Sequence, residues 1–345
     1  MTTDNTPRPA ARATIDLITA AWHTQAVYAA ARLGLPDLIA AGHTGPAELA
    51  KAADADPDAV RRLLRLLLRL GVVDGDENDG YRNTDVGDLL RDRPGSLRDV
   101  CLLYGEEFYQ AWGESIDTFR TGRSGFEKAY GRSLVGYLGE DPDAAQRFQR
   151  AMQAQANNFA FDAVPQHIDF TADQHVVDIA GGSGQLLSTV LGAAPAARGT
   201  LLDLAHNIPI ARAHLEQTVG LDRAELVAGD MFTGPIPQGA DTYLLSRVLG
   251  DWSEGDCVRL LRSIREAMGP RSRLVIIEMV VQDGKAGLLA PLWDLHLMVV
   301  NGGHQRSIGE YHELAGQSGL AIERSVQLPM ETSALVLTAA SDIPS

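Results

Sequence analysis

Cysteine is scarce in this chain of 345 residues: only Cys101 and Cys257 occur, far apart in sequence. That excludes a disulfide framework, and neither stands at thiolate-ligand spacing, so no metal centre is expected. Long apolar runs are missing as well. No stretch approaches the roughly 20 apolar residues of a membrane span, and the N-terminal MTTDNTPRPAARA has no apolar core of a secretory signal. The first dozen residues are expected to lack structure, and the protein to work in a reducing cytoplasm. Positive charge is also in deficit, 30 Lys and Arg against 45 Asp and Glu, a formal charge of -15. Nucleic acid and anionic membranes are therefore poor partners, because phosphate neutralisation needs clustered bases. What remains is ample: 45% hydrophobic and 22% charged residues describe a globular chain that can build a full core.

No internal repeat of fixed period is found, and the texture changes twice. Residues 1–100 open on one long helix, ATIDLITAAWHTQAVYAAARLGL, stopped by Gly-Leu-Pro. A short capped helix follows, then a second from Pro57 that carries Val60, Leu63, Leu64, Leu67 and Leu70 inward. VVDGDENDGYRNTDVGDLL then predicts two short strands around an Asp/Asn/Gly turn. Helix, helix, hairpin is a winged-helix order, and Arg61, Arg62, Arg65 and Arg69 could face DNA from it. Leu66 and Leu68 fall outside the inner stripe, however, so burial between subunits suits this helix better than phosphate contact. Residues 101–165 predict a helical connector rich in aromatics, Trp112 and Phe159 among them, some of which could line a pocket for a flat ligand. From 166 to 345, β-branched runs (HVVDIA, GTLLDL, AELVAGD, TYLLSRVL, RLVIIEMVV) alternate with helical stretches. That is the pattern of a doubly wound, mostly parallel sheet, closed by an antiparallel pair near AIERSVQL and SALVLTAA.

The informative stretch is VVDIAGGSGQLL. A strand ends at Asp178, Gly181, Gly182 and Gly184 let the backbone turn tightly, and a helix starts with its N–H groups exposed. Asp203 ends the next strand 25 residues on and could accept both hydroxyls of a ribose. Asp230 ends the third, followed by Met231 and Phe232, which suit an adenine edge and face. A dinucleotide site or a structural coincidence would share these features. The loop lacks a P-loop lysine, though, and Asp178 would repel a pyrophosphate, so a cationic adenosyl ligand fits better.

Together, DIAGGSG, LLDL, AGDMF, DWSEGDC, Glu278 in VIIEM and GGHQRS resemble the class I S-adenosylmethionine-dependent O-methyltransferases of the plant caffeate and hydroxyindole type, in their bacterial natural-product branch. The resemblance spans nearly the whole chain. It implies a Rossmann-like catalytic domain, an N-terminal winged-helix dimerisation domain, a homodimer and S-adenosylmethionine held by Asp178, the glycines, Asp203, Asp230, Met231, Phe232, Ser246, Arg247 and Trp252. It further implies an acceptor site drawn from Met152, Gln155, Gly250, Trp293, His296, Asn301 and Gln305, with no metal. Ala180 replaces the usual first glycine, which requires that this position not need a positive φ.

One departure is larger. The family's proton-removing His is here Gly250, which cannot be a base, and of the two acids around it Glu278 remains while the other is Gln305. His296 is a candidate base or a polar lining residue; His304 reads as a surface residue. Asp251 is a further candidate, though it would also cap the helix that follows. Asn301, Gln153, Gln155 and Asn157 could orient a substrate without moving protons. A base may also be dispensable where an ionised acceptor is held in line with the methyl group. Gly250 would enlarge the pocket by an imidazole's volume, which suits a polycyclic substrate. The resulting expectation is methyl transfer to a hydroxyl of a small aromatic or polycyclic secondary metabolite. The alternatives are a relative that keeps the cofactor but hydroxylates, decarboxylates or cyclises, and a ligand-responsive winged-helix regulator.

Overall fold

A computed structural model describes residues 9–158, 161–282 and 287–340. The chain divides into two compact units, residues 1–110 with 138–155, and residues 111–137 with 156–345.

In the first unit a helix runs over Pro9–Arg32 and is broken at Gly34, whose φ of +68° is left-handed. Helical structure thus begins at Pro9, inside the segment expected to lack it; residues 1–8 lie outside the described residues. Asp56 caps the helix Pro57–Arg69 by accepting the N–H of Ala59, and Pro57 stands at its first turn, where a missing N–H costs nothing. Val60, Leu64 and Leu67 are buried at i, i+4 and i+7 against Leu35, Leu49 and Tyr81. Leu68, expected outside the stripe, also packs on this core, and Leu66 is half-buried. Arg61 and Arg62 pair with Asp58, and Arg65 with Glu77, so these cations are met by the unit's own acids. Exposed large apolar side chains lie instead on the first helix, at Ile15, Leu17, Ile18 and Trp22. A two-stranded antiparallel hairpin, β1 (Val73–Asp76) and β2 (Gly80–Asn83), follows. Asp76 closes its turn by accepting the N–H groups of Asn78 and Asp79.

The second unit is built on seven strands: β3 (His175–Ile179), β4 (Arg198–Asp203), β5 (Ala224–Ala228), β6 (Thr242–Ser246), β7 (Arg273–Met279), β8 (Leu320–Gln327) and β9 (Thr332–Ala339). Their order is β5-β4-β3-β6-β7-β9-β8, parallel from β5 to β7, with β9 antiparallel to both β7 and β8. The central strands are apolar on both sides because both faces are covered. Helices Gln185–Ala193 and Ile208–Thr218 pack on one face through Leu187, Leu191 and Leu215, and Glu254–Ala267 and Ile308–Gln317 on the other through Leu260, Ile264 and Leu314. Strand order reverses between β3 and β6, and a doubly wound sheet opens its ligand crevice beyond the carboxyl ends at such a point. No helix among the described residues is long and apolar enough to cross a membrane.

Candidate active site

Asp178 is the penultimate residue of β3, 1% exposed, and pairs in register with Leu201 and Leu244 on its two neighbours. Burial, with the charge of Asp203 added, pushes its carboxyl up to about 8. The N–H of Leu187, in the first turn of the helix Gln185–Ala193, bonds to the carboxylate, yet Oδ2 is buried without a hydrogen-bond partner. Gly181 lies directly over it, and a Cβ there would stand 2.7 Å from that oxygen. The chain reaches this position through Ala180 at φ +54°, its N–H donating to the Leu202 carbonyl at 2.8 Å. The expectation that Ala180 avoids a positive φ is therefore corrected: the turn must begin immediately after β3 to bring Gly181 over Asp178, and alanine bears a left-handed cost of about 1 kcal/mol. Gly182 and Gly184 continue it at φ +56° and +79°, and the helix that starts after Gly184 has no side-chain cap.

Asp203, the last residue of β4, accepts the Gly182 N–H at Oδ2 (2.7 Å) and, at Oδ1, the Leu204 N–H (2.7 Å) and the Asn207 amide (2.9 Å). It therefore shapes the glycine loop and retains lone pairs for one further donor. Asp230 lies two residues beyond β5 rather than at its end, where it accepts the Phe232 N–H. The Phe232 ring meets Trp252 edge-on at 4.6 Å and carries the Arg259 guanidinium 4.9 Å from its centroid; Met231 packs on the core beside it. At the end of β6, next to β3, Ser246 Oγ is a second buried polar atom without a partner. Arg247 follows at φ +56° and donates its N–H to the Ile277 carbonyl.

The chain then turns through Leu249–Asp251. Glu278, on β7 and 1% exposed, accepts the N–H groups of Val248 and Leu249 with one oxygen, at 2.8 and 2.9 Å. Burial pushes its carboxyl up to about 7 against the pull of those two donors. The carbonyls are held from the other direction. Arg306, 4% exposed, donates to Leu249 O at 2.6 Å and Trp252 O at 3.0 Å, and the Cys257 thiol points at the same two oxygens. Gly250 is buried, but it leaves no imidazole-sized space: a Cβ there would meet Gln305 Nε2 at 3.1 Å and Leu297 at 3.4 Å. The expected enlargement of the pocket is corrected, since the Gln305 amide lies over the glycine, with its Oε1 buried and unpartnered. Asp251 does not cap the next helix either. Ser253 does, accepting the Asp256 N–H, while Asp251 accepts from Asn301 Nδ2 at 3.0 Å.

Asn301 spends its other end on the Gly303 N–H, and Asp294 accepts the Gln305 N–H. His304 stands exposed between Asp294 and Glu310. His296, on the helix Leu289–Val300, is 7% exposed; the Trp112 indole N–H donates to its Nδ1 at 3.2 Å, and Trp293 meets its ring edge-on. Met152, Gln153 and Gln155 lie in the other unit, on the helix Pro142–Asn158, where Gln155 donates to the Tyr104 hydroxyl. The side chain of Asn157, and Phe159, lie outside the described residues. Sequence reasoning missed Arg306 as a site residue and Trp112 as a partner of His296. Neither has a local signal, because the bonds of Arg306 to Leu249 and Trp252 and of Trp112 to His296 span 54 or more positions of the chain. A cavity of ≈ 450 Å³ lined by His175, Arg198 and Glu225 opens at the opposite, amino ends of β3, β4 and β5.

With this geometry in hand, the comparisons are specific. The O-methyltransferase domain family matches residues 112–321, and the O-methyltransferase dimerisation domain matches residues 15–93. The chain is 41% identical over 333 residues to the phenazine-1-carboxylate N-methyltransferase of Pseudomonas aeruginosa, covering 96% of this chain and 98% of that one. It is 41% identical to the 3-amino-4-hydroxybenzoate 4-O-methyltransferase of Streptomyces cremeus, covering 96% and 91%. An O-methyltransferase from neocarzinostatin biosynthesis, solved with S-adenosylmethionine and 2-hydroxy-5-methyl naphthoic acid, superposes at a TM-score of 0.75 with 34% identity, over 92% of this chain and 95% of the other.

Proposed function

The chain belongs to the O-methyltransferase family, and from that premise we propose that it methylates a small aromatic or polycyclic secondary metabolite, at oxygen or nitrogen, with S-adenosylmethionine as donor. The observation that carries this reading is the pair of unpartnered buried oxygens, Asp178 Oδ2 and Ser246 Oγ, on neighbouring strand ends where the sheet order reverses. Buried polar atoms are almost always satisfied, so two orphans at a crevice call for a ligand that donates to them. Gly181 keeps the space above Asp178 that a side chain would fill. When bound, S-adenosylmethionine supplies a methyl group already activated on a positively charged sulfur. Asp178 and the glycine loop would bind its cationic end, Asp203 its ribose, and Asp230, Met231, Phe232 and Trp252 its adenine. Gly250, Trp293, His296, Asn301 and Gln305 would form the acceptor site. The ligands named for the three relatives described above are aromatic acids, and we assign the same class here. Dimerisation through residues 15–93 would cover the exposed apolar side chains of Ile15, Leu17, Ile18 and Trp22.

Mass spectrometry on the purified protein with S-adenosylmethionine and a panel of aromatic acids tests this. Stoichiometric S-adenosylhomocysteine with a product heavier by one CH2 is the expected result. A converted acid without S-adenosylhomocysteine would instead support the second reading, a non-methylating relative, which Gly250 and Gln305 favour.

A further inference from the structure

The helix Leu289–Val300, which carries Trp293 and His296, cannot cap itself. Leu288 stands at its cap position without a side-chain acceptor, and the N–H groups of a first helical turn need one. The acceptor comes from much further along the chain. Glu331 Oε1 accepts the Leu288 N–H at 3.0 Å, and Oε2 accepts those of Leu289 and Ala290 at 2.8 and 3.0 Å. Pro291 has no N–H to offer, and Leu292 donates to the Leu288 carbonyl at 3.2 Å, so one carboxylate completes the turn. The Ala290 and Leu289 N–H groups hold the Glu331 carboxyl below the usual carboxylate range, and its charge lies at the positive end of the helix dipole.

The chain is bent to put this carboxylate there. Met330 and Glu331, between β8 and β9, both have left-handed backbone, at φ +60° and +55°. Residues with side chains stay in that region only where the surroundings impose it, and they gather at functional sites. Leu328, 5% exposed, roots the tip of this hairpin in the core. On the facing side Gly287, at φ +76°, leaves room for the contact, since a Cβ there would stand 2.6 Å from Glu331 Oε2. The far end of the helix is fixed separately. Ser124 Oγ donates to the carbonyls of Val299 and Val300 at 3.2 and 2.8 Å, and Asn301 Nδ2 to Asp251 at 3.0 Å. Building on the methyl-transfer reading, we propose that Glu331 is a positioning residue for the acceptor substrate: by fixing the N-terminal end of this helix, it sets where Trp293 and His296 meet an aromatic acid. It acts through the helix and on the acceptor side. The glycine loop takes its shape from Asp203 on β4 instead, so the cofactor side does not depend on Glu331.

The test compares Glu331→Ala and Glu331→Gln with the parent, each as the full-length protein. In hydrogen–deuterium exchange, Glu331→Ala should speed exchange about tenfold over residues 289–297 and leave residues 178–187 unchanged. S-adenosylhomocysteine should bind within about twofold of the parent by calorimetry, whereas KM for phenazine-1-carboxylate or 3-amino-4-hydroxybenzoate rises about tenfold, the scale of a small misplacement of substrate-aligning groups. Glu331→Gln keeps one accepting oxygen but sets a donor against the remaining N–H groups. It should fall between, and it decides the matter if Glu331→Ala does not fold. Met330→Gly relieves the left-handed backbone without touching the carboxylate and should keep the parent's KM. An unchanged KM in spite of a loosened helix would overturn the proposal. So would equal losses of acceptor and S-adenosylhomocysteine binding, which mark general loosening. If the parent forms no S-adenosylhomocysteine from any aromatic acid, methyl transfer is overturned and the acceptor role with it, while the exchange rates still report the hold of Glu331 on the helix.

Discussion

Asp178 on β3 and Glu278 on β7 invite direct comparison. Both are acids near the carboxyl ends of strands in one sheet, both are 1% exposed, and burial raises both carboxyls. They differ in what their oxygens do. Glu278 is turned inward on the chain itself, fastening the backbone of the Gly250 corner whose carbonyls Arg306 fastens in turn. Asp178 keeps one oxygen without any protein partner beneath a glycine. A buried acid saturated by its own backbone positions a loop, whereas one left short of donors is prepared for a ligand. Sequence cannot separate these roles, since both residues read as an acid ending an apolar run.

The comparison is broken most forcefully at Glu278. Glu278→Ala leaves two buried N–H groups without an acceptor and should destabilise folding by about 2–5 kcal/mol in urea denaturation. A parent-like midpoint would remove Glu278 from its positioning role. Asp178→Asn should do the reverse: folding stability at pH 7 is not lowered, because a neutral amide avoids the cost of protonating the buried carboxyl, while calorimetric affinity for S-adenosylmethionine drops about a hundredfold through loss of a charge-assisted contact. Equal affinity in the two proteins would assign the orphaned oxygen to something other than this cation.

A pH series sharpens the contrast. Because the folded Asp178 carboxyl titrates at about 8, far above its unfolded value, the folded state binds a proton that the unfolded state has released. Its contribution to stability is complete below pH 4 and is lost as pH rises toward 8. A cationic ligand favours the ionised form, so binding should tighten about tenfold between pH 7 and 9 and release a proton, seen as buffer-dependent heat. Asp178→Asn should flatten both trends. The smallest effect is expected at Ala180. Ala180→Gly removes a left-handed alanine and should stabilise the protein by about 0.5–1 kcal/mol in thermal denaturation, without altering cofactor affinity.

The doubly wound sheet was legible because its strands are buried on both faces and read as unbroken apolar runs such as VVDI and LVII. The strand-end places of Asp178 and Asp203 and the glycine turn were legible for a related reason, strand ends and tight turns having local signatures, whereas Asp230 lies two residues past its strand. The conformation of Ala180 was not, because alanine adopts a positive φ only where tertiary contacts impose it. Nor was the filling of the Gly250 space, which depends on a glutamine 55 positions later folding back over it. Arg306 and Trp112 share that difficulty, their meaning lying in backbone carbonyls and a ring nitrogen that only the assembled fold brings near.

The amide over Gly250 also constrains what position 250 can hold. A side chain introduced there must move the Gln305 amide, which a Cβ alone would meet at 3.1 Å. Positions 250 and 305 are thus a coupled pair: what one side chain can be depends on where the other lies.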